Sequence, residues 1–317
     1  MSNEKSARLG WVGTGRMGSA LAARLLDAGY DVAVYNRTRS KAEALAEKGA
    51  TVVDSPADLA DRDVVFTMVG GSADFVEVVT GPSGVLSRDD AAPRMVIDST
   101  TISTEAADQV RAAAAERGVA MLAAPVSGNP KVVTAGLLTL VASGPRDAFE
   151  EARPYLEVLG NGVTYVGEGE LARLAKICHN LMLGVVAQSL AEIVVLAEKG
   201  GISRADFMAF LNDSVMGSMF TRYKTPAYVN LDFKPTFTPA LLLKDFVLGA
   251  DSARELEVPM PVTATTQQVV QAMIGNGYDD IDFAALLELQ ARASGLDIAP
   301  ENVEVSDGLT NGRVVVQ

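Results

Sequence analysis

The sequence predicts an α/β domain built on a parallel sheet, followed by an all-helical domain that a long helix joins to it. Three observations carry this expectation. Residues 8 to about 166 alternate short β-branched runs with Ala/Leu/Arg-rich segments of helical spacing, the texture of parallel βαβ units. Runs such as Val64-Val65-Phe66 lack polar alternation, as strands buried on both faces do. After Gly167 no strand-like run separates the helical segments.

Taken in order, strands are expected at 9–12, 31–35, 51–53, 64–69, 95–97 and 120–122. Helices at 19–28, 41–48 and 105–117 fall between several of them. One helix is then expected from about Glu170 to Lys199, closed by Gly200-Gly201. Roughly 30 helical residues span ~45 Å, longer than a small domain. This helix is therefore expected to bridge two domains or to meet a second subunit. Further helices are expected at 204–212, 239–256, 263–275 and 283–294. The domain boundaries that follow are 1–167 and 168–294, with a polar tail at 295–317 that either lacks regular structure or forms an edge strand at 312–317.

Composition narrows the function. The 317 residues include 27 Lys+Arg against 40 Asp+Glu, a net charge of −13. Nucleic acid and anionic membrane surfaces both need basic protein surface, so neither is an expected partner. Cys178 is the single cysteine and His179 the single histidine. No internal disulfide and no metal site are expected from that inventory. The start, Met1-Ser2-Asn3-Glu4-Lys5, leads into no apolar signal core. The apolar stretch 181–196 is interrupted by Gln188, Ser189 and Glu192, so no membrane span is expected. A reducing cytoplasm is the expected setting.

Gly13-Thr14-Gly15-Arg16-Met17-Gly18 fits the dinucleotide fingerprint G-x-G-x-x-G, with a β-run before it and a helix after it. Gly13 would permit the tight turn, Gly15 the approach of a pyrophosphate, and Gly18 close helix–strand packing. The phosphates would sit on free N–H groups at the helix N-terminus. Residues 1–167 are thus expected to form a Rossmann-type dinucleotide-binding domain. At the end of the second strand an NAD-specific protein places a carboxylate for the ribose 2′-OH. This chain instead reads Tyr35-Asn36-Arg37-Thr38. With no carboxylate expected there, and Arg37 able to pair with a 2′-phosphate, NADP(H) is the expected cofactor, with NAD as the alternative.

Three further segments have chemical potential. In Ala124-Pro125-Val126-Ser127-Gly128-Asn129, the Ser127 hydroxyl and the N–H groups around Gly128 are suited to a carboxylate, though composition fits a plain turn equally. Lys176 and Asn180 stand four apart on the long helix and so share a face. Desolvation there would lower the pKa of a lysine and suit it to proton transfer; composition alone fits a surface lysine. On composition, Lys244-Asp245 reads as an ordinary surface ion pair.

The order of these segments, with Gly167-x-Gly169 between them, resembles the β-hydroxyacid dehydrogenases, a group that includes 3-hydroxyisobutyrate dehydrogenase and the glyoxylate/succinic semialdehyde reductases. The resemblance runs from about Arg8 to Ser294. It implies a Rossmann-type domain plus a helical substrate and dimerisation domain joined by one long helix, usually as a homodimer or homotetramer. It implies reversible hydride transfer between a nicotinamide and a short hydroxy acid or semialdehyde, with a small carboxylate as substrate. By the same resemblance Lys176 is the acid/base, Asn180 orients the substrate, and Ser127 and Gly128 bind its carboxylate. Thr101 matches a threonine near the nicotinamide, Met68 and Val69 match the segment along the dinucleotide, and Lys244 with Asp245 matches a pair reaching the cofactor. Departures occur at Ala123, Asn129, Pro130 and Leu137, where the family has Asp, Gly, other residues and Thr, so the substrate is left open. His179 replaces a residue that is often Asn. Imine reductases are the nearest enzyme alternative, but their helix carries Asp or Tyr where Lys176 stands. A non-catalytic NADP-binding protein is the alternative of another class, and it needs neither Lys176 nor Asn180.

Overall fold

The computed structural model describes residues 7–309. The chain divides into two compact units, the first ending at Lys176 and the second beginning at Ile177. The strand expected at 312–317 lies outside the described residues, as does the amino-terminal pentapeptide.

The first unit opens with β1 (Arg8–Val12), α1 (Arg16–Asp27), β2 (Asp31–Tyr35), α2 (Arg39–Ala46) and β3 (Thr51–Val52). It continues with β4 (Val64–Thr67), α3 (Ser72–Thr80), β5 (Met95–Asp98), α4 (Thr104–Glu116) and β6 (Ala120–Ala123). The six strands lie in the order β3-β2-β1-β4-β5-β6, every pair parallel. The order reverses between β1 and β4, which is where open α/β sheets bind ligands at the carboxyl ends of their strands.

Both faces of the sheet are covered. Leu9, Trp11, Val64 and Phe66 enter one core, with the Trp11 and Phe66 rings stacked at 5.3 Å. Val12, Val65 and Val96 enter the other with Phe75 of α3. Adjacent residues of a strand thus feed opposite cores, which is why the runs are apolar throughout.

A second sheet completes this unit: β7 (Val126–Ser127), β8 (Thr139–Ala142) and β9 (Gly162–Tyr165), with α5 (Pro130–Thr134) and α6 (Arg146–Leu159) between them. β7 pairs antiparallel with β8, and β8 parallel with β9. Neither this sheet nor α6 was expected. β7 has only two residues, and Pro154 falls inside α6.

α7 (Leu171–Lys199) is a single helix of 29 residues, close to the expected bounds. By length and composition it is long and apolar enough to cross a membrane, a test that the core helix of a soluble protein also passes. Its apolar side chains Leu181, Ala187, Leu190, Val194 and Val195 are used inside the second unit's core.

That unit continues with α8 (Arg204–Asp213), α9 (Met219–Asn230), α10 (Pro239–Glu255), α11 (Pro261–Gly275) and α12 (Leu286–Ala293). A 3-10 turn at Phe283–Ala285 takes the start of the helix expected at 283–294. α9 was not expected, because its polar run contains Pro226; Ser218 starts it with a reciprocal cap to Thr221. α7 and α10 approach closely through glycines. A methyl group on Gly184 would lie 2.5 Å from Phe246, and one on Gly249 would lie 2.5 Å from Leu181.

The segment 295–309, expected as a separate polar tail, is bound to the second unit. Leu296, Ile298 and Val305 pack on its core. Glu301 accepts hydrogen bonds from the backbone N–H groups of Arg204 and Ala205 at 2.6 and 3.0 Å. The alternation of Val with Asp and Glu concealed this packing.

A buried ion pair anchors the same unit. Lys224 donates to Asp282 at 2.5 Å, and both side chains are almost wholly buried. Thr236 and the Ala284 N–H also donate to Asp282. Burial pushes the Asp282 carboxyl up, but Lys224 and these donors outweigh it and hold the group below its ordinary value. A depressed folded value means that the stabilisation is complete above the unfolded value of about 3.9 and is lost as pH falls through the lower folded one. Asp282→Asn is therefore expected to lower Tm at neutral pH and to flatten the fall in Tm below about pH 4. An acid limb as steep as that of the wild type would contradict this.

Candidate active site

The fingerprint turn follows β1 and is shaped by its glycines. Gly13 has φ +96°, and a side chain on it would collide with the Met68 carbonyl. A Cβ on Gly18 would collide with the Gly13 carbonyl, which also accepts from the Trp11 ring N–H at 2.9 Å. Gly15 differs: a Cβ there would meet nothing within 4 Å. Packing within the protein thus gives no reason for glycine at this position, whereas backbone approach to a ligand does.

The neighbouring polar groups fit a dinucleotide. The Thr14 hydroxyl is buried and has no hydrogen-bond partner among the described residues. α1, which begins with Arg16 and Met17, has Gly15 at its N-cap and no side-chain cap, so its first N–H groups stay available to an anion.

The end of β2 is bonded to this turn. Gly13 N–H donates to the Tyr35 carbonyl, and Thr14 N–H donates to Asn36 Oδ1, both at 2.9 Å. Asn36 in turn donates to the Thr38 carbonyl. Met68 N–H donates to the Val12 carbonyl, and Val69 N–H to Thr100 Oγ1. Gly13 to Gly18, Asn36 to Thr38, Met68 and Val69 are thus brought together as expected.

The surroundings of Arg37 require a correction. The end of β2 indeed lacks a carboxylate, but the fold supplies one from elsewhere. Asp74, in the first turn of α3, accepts from Arg37 Nη1 at 2.9 Å. The residues are 37 positions apart, so reading along β2 could not find the pair.

A buried polar network lies after β5. Asp98 is fully buried and accepts from Thr67 and Thr100 at 2.5 and 2.7 Å. Arg173 of α7 donates to Asp98 at 2.7 Å and to the Thr100 carbonyl at 2.6 Å. Glu170 also pairs with Arg173 and with Arg111. Burial would lower the Arg173 guanidinium, yet Asp98 and Glu170 outweigh it and hold the group above its ordinary value. Sequence reasoning missed this arginine. Its position three residues before Lys176 was the available signal, since residues at that spacing share a helix face. Thr100 bonds the dinucleotide segment through Val69; Thr101, expected near the nicotinamide, follows it and is half-buried.

Ser127 lies in β7, half-buried, opposite Thr139. Gly128 has φ +143°, and a Cβ on it would stand 2.9 Å from Leu138 and Val132. The departures beside it have a local reason. Asn129 is extended at φ −121°, so it has no need to be glycine, and its side chain caps α5 by accepting from Val132 N–H. Pro130 takes the first helical position, where a missing N–H costs nothing. The Asn129 amide is thus engaged in capping the helix.

On α7, Lys176 is half-buried and Asn180 is buried. Asn180 Nδ2 donates to Asp245 Oδ2 at 2.6 Å, and its Oδ1 lies 2.9 Å from His179 Nδ1. The carboxylate fixes the amide orientation, so His179 Nδ1 carries the hydrogen. His179 itself is exposed, more so than a partly buried helix residue. Lys244 Nζ stands 3.8 Å from Asp245 Oδ1. Asp245 is only 2% exposed, so Lys244-Asp245 is not an ordinary surface ion pair.

Comparisons with known proteins accord with this arrangement. Residues 8–167 match the family model described as the NAD binding domain of 6-phosphogluconate dehydrogenase. Residues 170–290 match that described as the NAD-binding domain of NADP-dependent 3-hydroxyisobutyrate dehydrogenase. A probable 3-hydroxyisobutyrate dehydrogenase-like protein of Arabidopsis thaliana is 33% identical over 91% of this chain and 95% of its own length. The 2-(hydroxymethyl)glutarate dehydrogenase of Eubacterium barkeri is 29% identical over 93% of this chain and 99% of its own. Among solved structures, 3-hydroxyisobutyrate dehydrogenase of Mycobacterium tuberculosis with L-serine superposes with a TM-score of 0.77 at 30% identity, covering 89% of this chain and 98% of that one. With a dinucleotide turn of this form and matches along nearly its whole length, the chain belongs to the β-hydroxyacid dehydrogenase family of NAD(P)-dependent oxidoreductases.

Proposed function

We propose that the chain transfers hydride reversibly between NADP(H) and a short β-hydroxy acid or its semialdehyde, with Lys176 as the acid/base. The supporting observation is the anchoring of Lys176. Arg173, one turn earlier on α7, bonds Asp98 and the Thr100 carbonyl, and Thr100 bonds Val69 beside the dinucleotide turn. Hydrogen bonds therefore tie the turn of α7 before Lys176 to Val69, beside the fingerprint turn.

The nicotinamide, when bound, supplies or accepts the hydride. In the reducing direction Lys176 gives a proton to the oxygen that develops negative charge, or stabilises that charge. Ser127 and the N–H groups near Gly128 hold the substrate carboxylate. Asn180, its amide oriented by Asp245, keeps the carbinol oxygen in register with the lysine. Lys244, beside Asp245, and Thr101 are proposed to contact the cofactor.

A steady-state panel of C2–C5 hydroxy acids and semialdehydes with both cofactors tests this reading. Turnover of at least one member is expected, and a chain that turns over only cyclic imines would reverse it. Arg37→Ala is expected to raise KM for NADPH about tenfold or more, the worth of one charge-assisted hydrogen bond. KM for NADH should barely move; equal changes for both cofactors would remove the 2′-phosphate from Arg37.

A homodimer or homotetramer is proposed from the second unit, where Met182, Leu196, Phe210, Met216 and Val262 are each more than 60% exposed and would be covered by another copy. The proposed setting is cytoplasmic, where Cys178, exposed at the surface, stays a thiol.

A further inference from the structure

Arg37 and Asp74 place a cation and a carboxylate side by side at the end of the dinucleotide site that meets the adenosine. A Rossmann site selects NAD with a carboxylate at the end of its second strand, which accepts the ribose 2′-OH, and takes NADP with a nearby arginine. Here the strand-end position belongs to Asn36, whose amide is already used. It accepts from Thr14 N–H and donates to the Thr38 carbonyl. The carboxylate arrives instead from the first turn of α3, 2.9 Å from Arg37. Arg39, the next cation along the chain, is engaged with Glu43 and Asp54. Arg37 is therefore the cation that meets Asp74.

We propose that Asp74 is the cofactor-selectivity residue of this chain, opposing a 2′-phosphate at Arg37 and accepting the 2′-OH of the unphosphorylated dinucleotide. The proposal rests on the dinucleotide reading of the site. Arg37 is 83% exposed and Asp74 39%, and an ion pair so open to water is weakly held. Either partner can exchange the other for a ligand group. A 2′-phosphate takes Arg37 and must leave Asp74 as an uncompensated like charge nearby. A bare ribose leaves the ion pair intact and offers its hydroxyl to the carboxylate. The two side chains thus pull in opposite directions, and the chain accepts both cofactors with modest preference for NADP(H). Asp74 also sits where an acidic residue favours a helix N-terminus. That role alone would make no distinction between the two ligands.

Calorimetric titration of the full-length protein with 2′,5′-ADP and with ADP, at fixed low ionic strength, separates these roles. Asp74→Asn is expected to bind 2′,5′-ADP about tenfold more tightly, the effect of removing one negative charge about 5 Å from a solvated dianion. ADP should bind severalfold more weakly, and raising the salt should shrink the first change. Arg37→Ala should weaken 2′,5′-ADP alone. If Asp74→Asn leaves the ratio of the two affinities unchanged while Arg37→Ala shifts it, Asp74 is a helix-terminal residue only and the proposal fails by itself. If the wild-type protein binds neither nucleotide, the proposal and the dinucleotide reading fail together.

Discussion

Replacing Lys176 with alanine is expected to lower kcat by about 10²–10⁴, the usual contribution of a positioned acid/base. KM for NADPH should change little, because the proposed phosphate contacts come from the fingerprint turn and Arg37. The lysine is half-buried on a helix whose start is fixed by Arg173, so truncation leaves its neighbours in place. Lys176→Arg sharpens the test. It keeps the charge but not a proton that can be given up near neutral pH. If Lys176 transfers the proton, arginine should rescue little. If the charge alone stabilises the alkoxide, arginine should recover much of the loss. Rates near those of the wild type for Lys176→Ala would remove the lysine from the chemistry.

Arg173→Ala is expected to cost about 3–5 kcal/mol of stability, the usual result of breaking a buried ion pair from one side. Arg173 is 3% exposed and Asp98 is fully buried, so the variant would leave a buried carboxyl group without its main partner. Thr67 and Thr100 would still donate to it, which sets a limit to the damage. The double variant Arg173→Leu, Asp98→Asn should recover most of the loss, because both charges are gone. Urea unfolding midpoints check both expectations, and a loss below about 1 kcal/mol for the single variant would place the pair in the class of surface ion pairs.

The sequence was most informative where local chemistry and global position coincide. Gly18 is glycine because of a contact inside one turn, and Gly13 because of its positive φ and the Met68 carbonyl beside it; that turn announces itself as a motif. The six apolar runs became the six parallel strands because both faces of the sheet are covered, which leaves no polar alternation to confuse the reading. The small sheet was hidden for the opposite reason: β7 has two residues, and β8 and β9 are only partly buried. Asp74 and Arg173 show the same limit at the site. Each acts through a partner 37 or 75 positions away, and only the spacing of Arg173 from Lys176 marked either of them. Asn129 shows how a departure from a family pattern is misread without coordinates. It was one of the departures that left the substrate open, and its side chain caps a helix. Residues 295–309 were read as a polar tail because Asp, Glu, Asn, Gly and Pro separate their few apolar residues, yet Leu296, Ile298 and Val305 meet the second core.

The central claim is that this chain moves hydride between a nicotinamide and the carbonyl of a short carboxylate, with Lys176 supplying the proton. It is tested most directly by stopped-flow absorbance at about 340 nm, where reduced nicotinamide absorbs, mixing enzyme and NADPH with the best semialdehyde of the panel. The predicted result is a rapid loss of absorbance in the wild type, slowed about 10²–10⁴-fold in Lys176→Ala. No loss with any semialdehyde, or the same rate in both proteins, would contradict it.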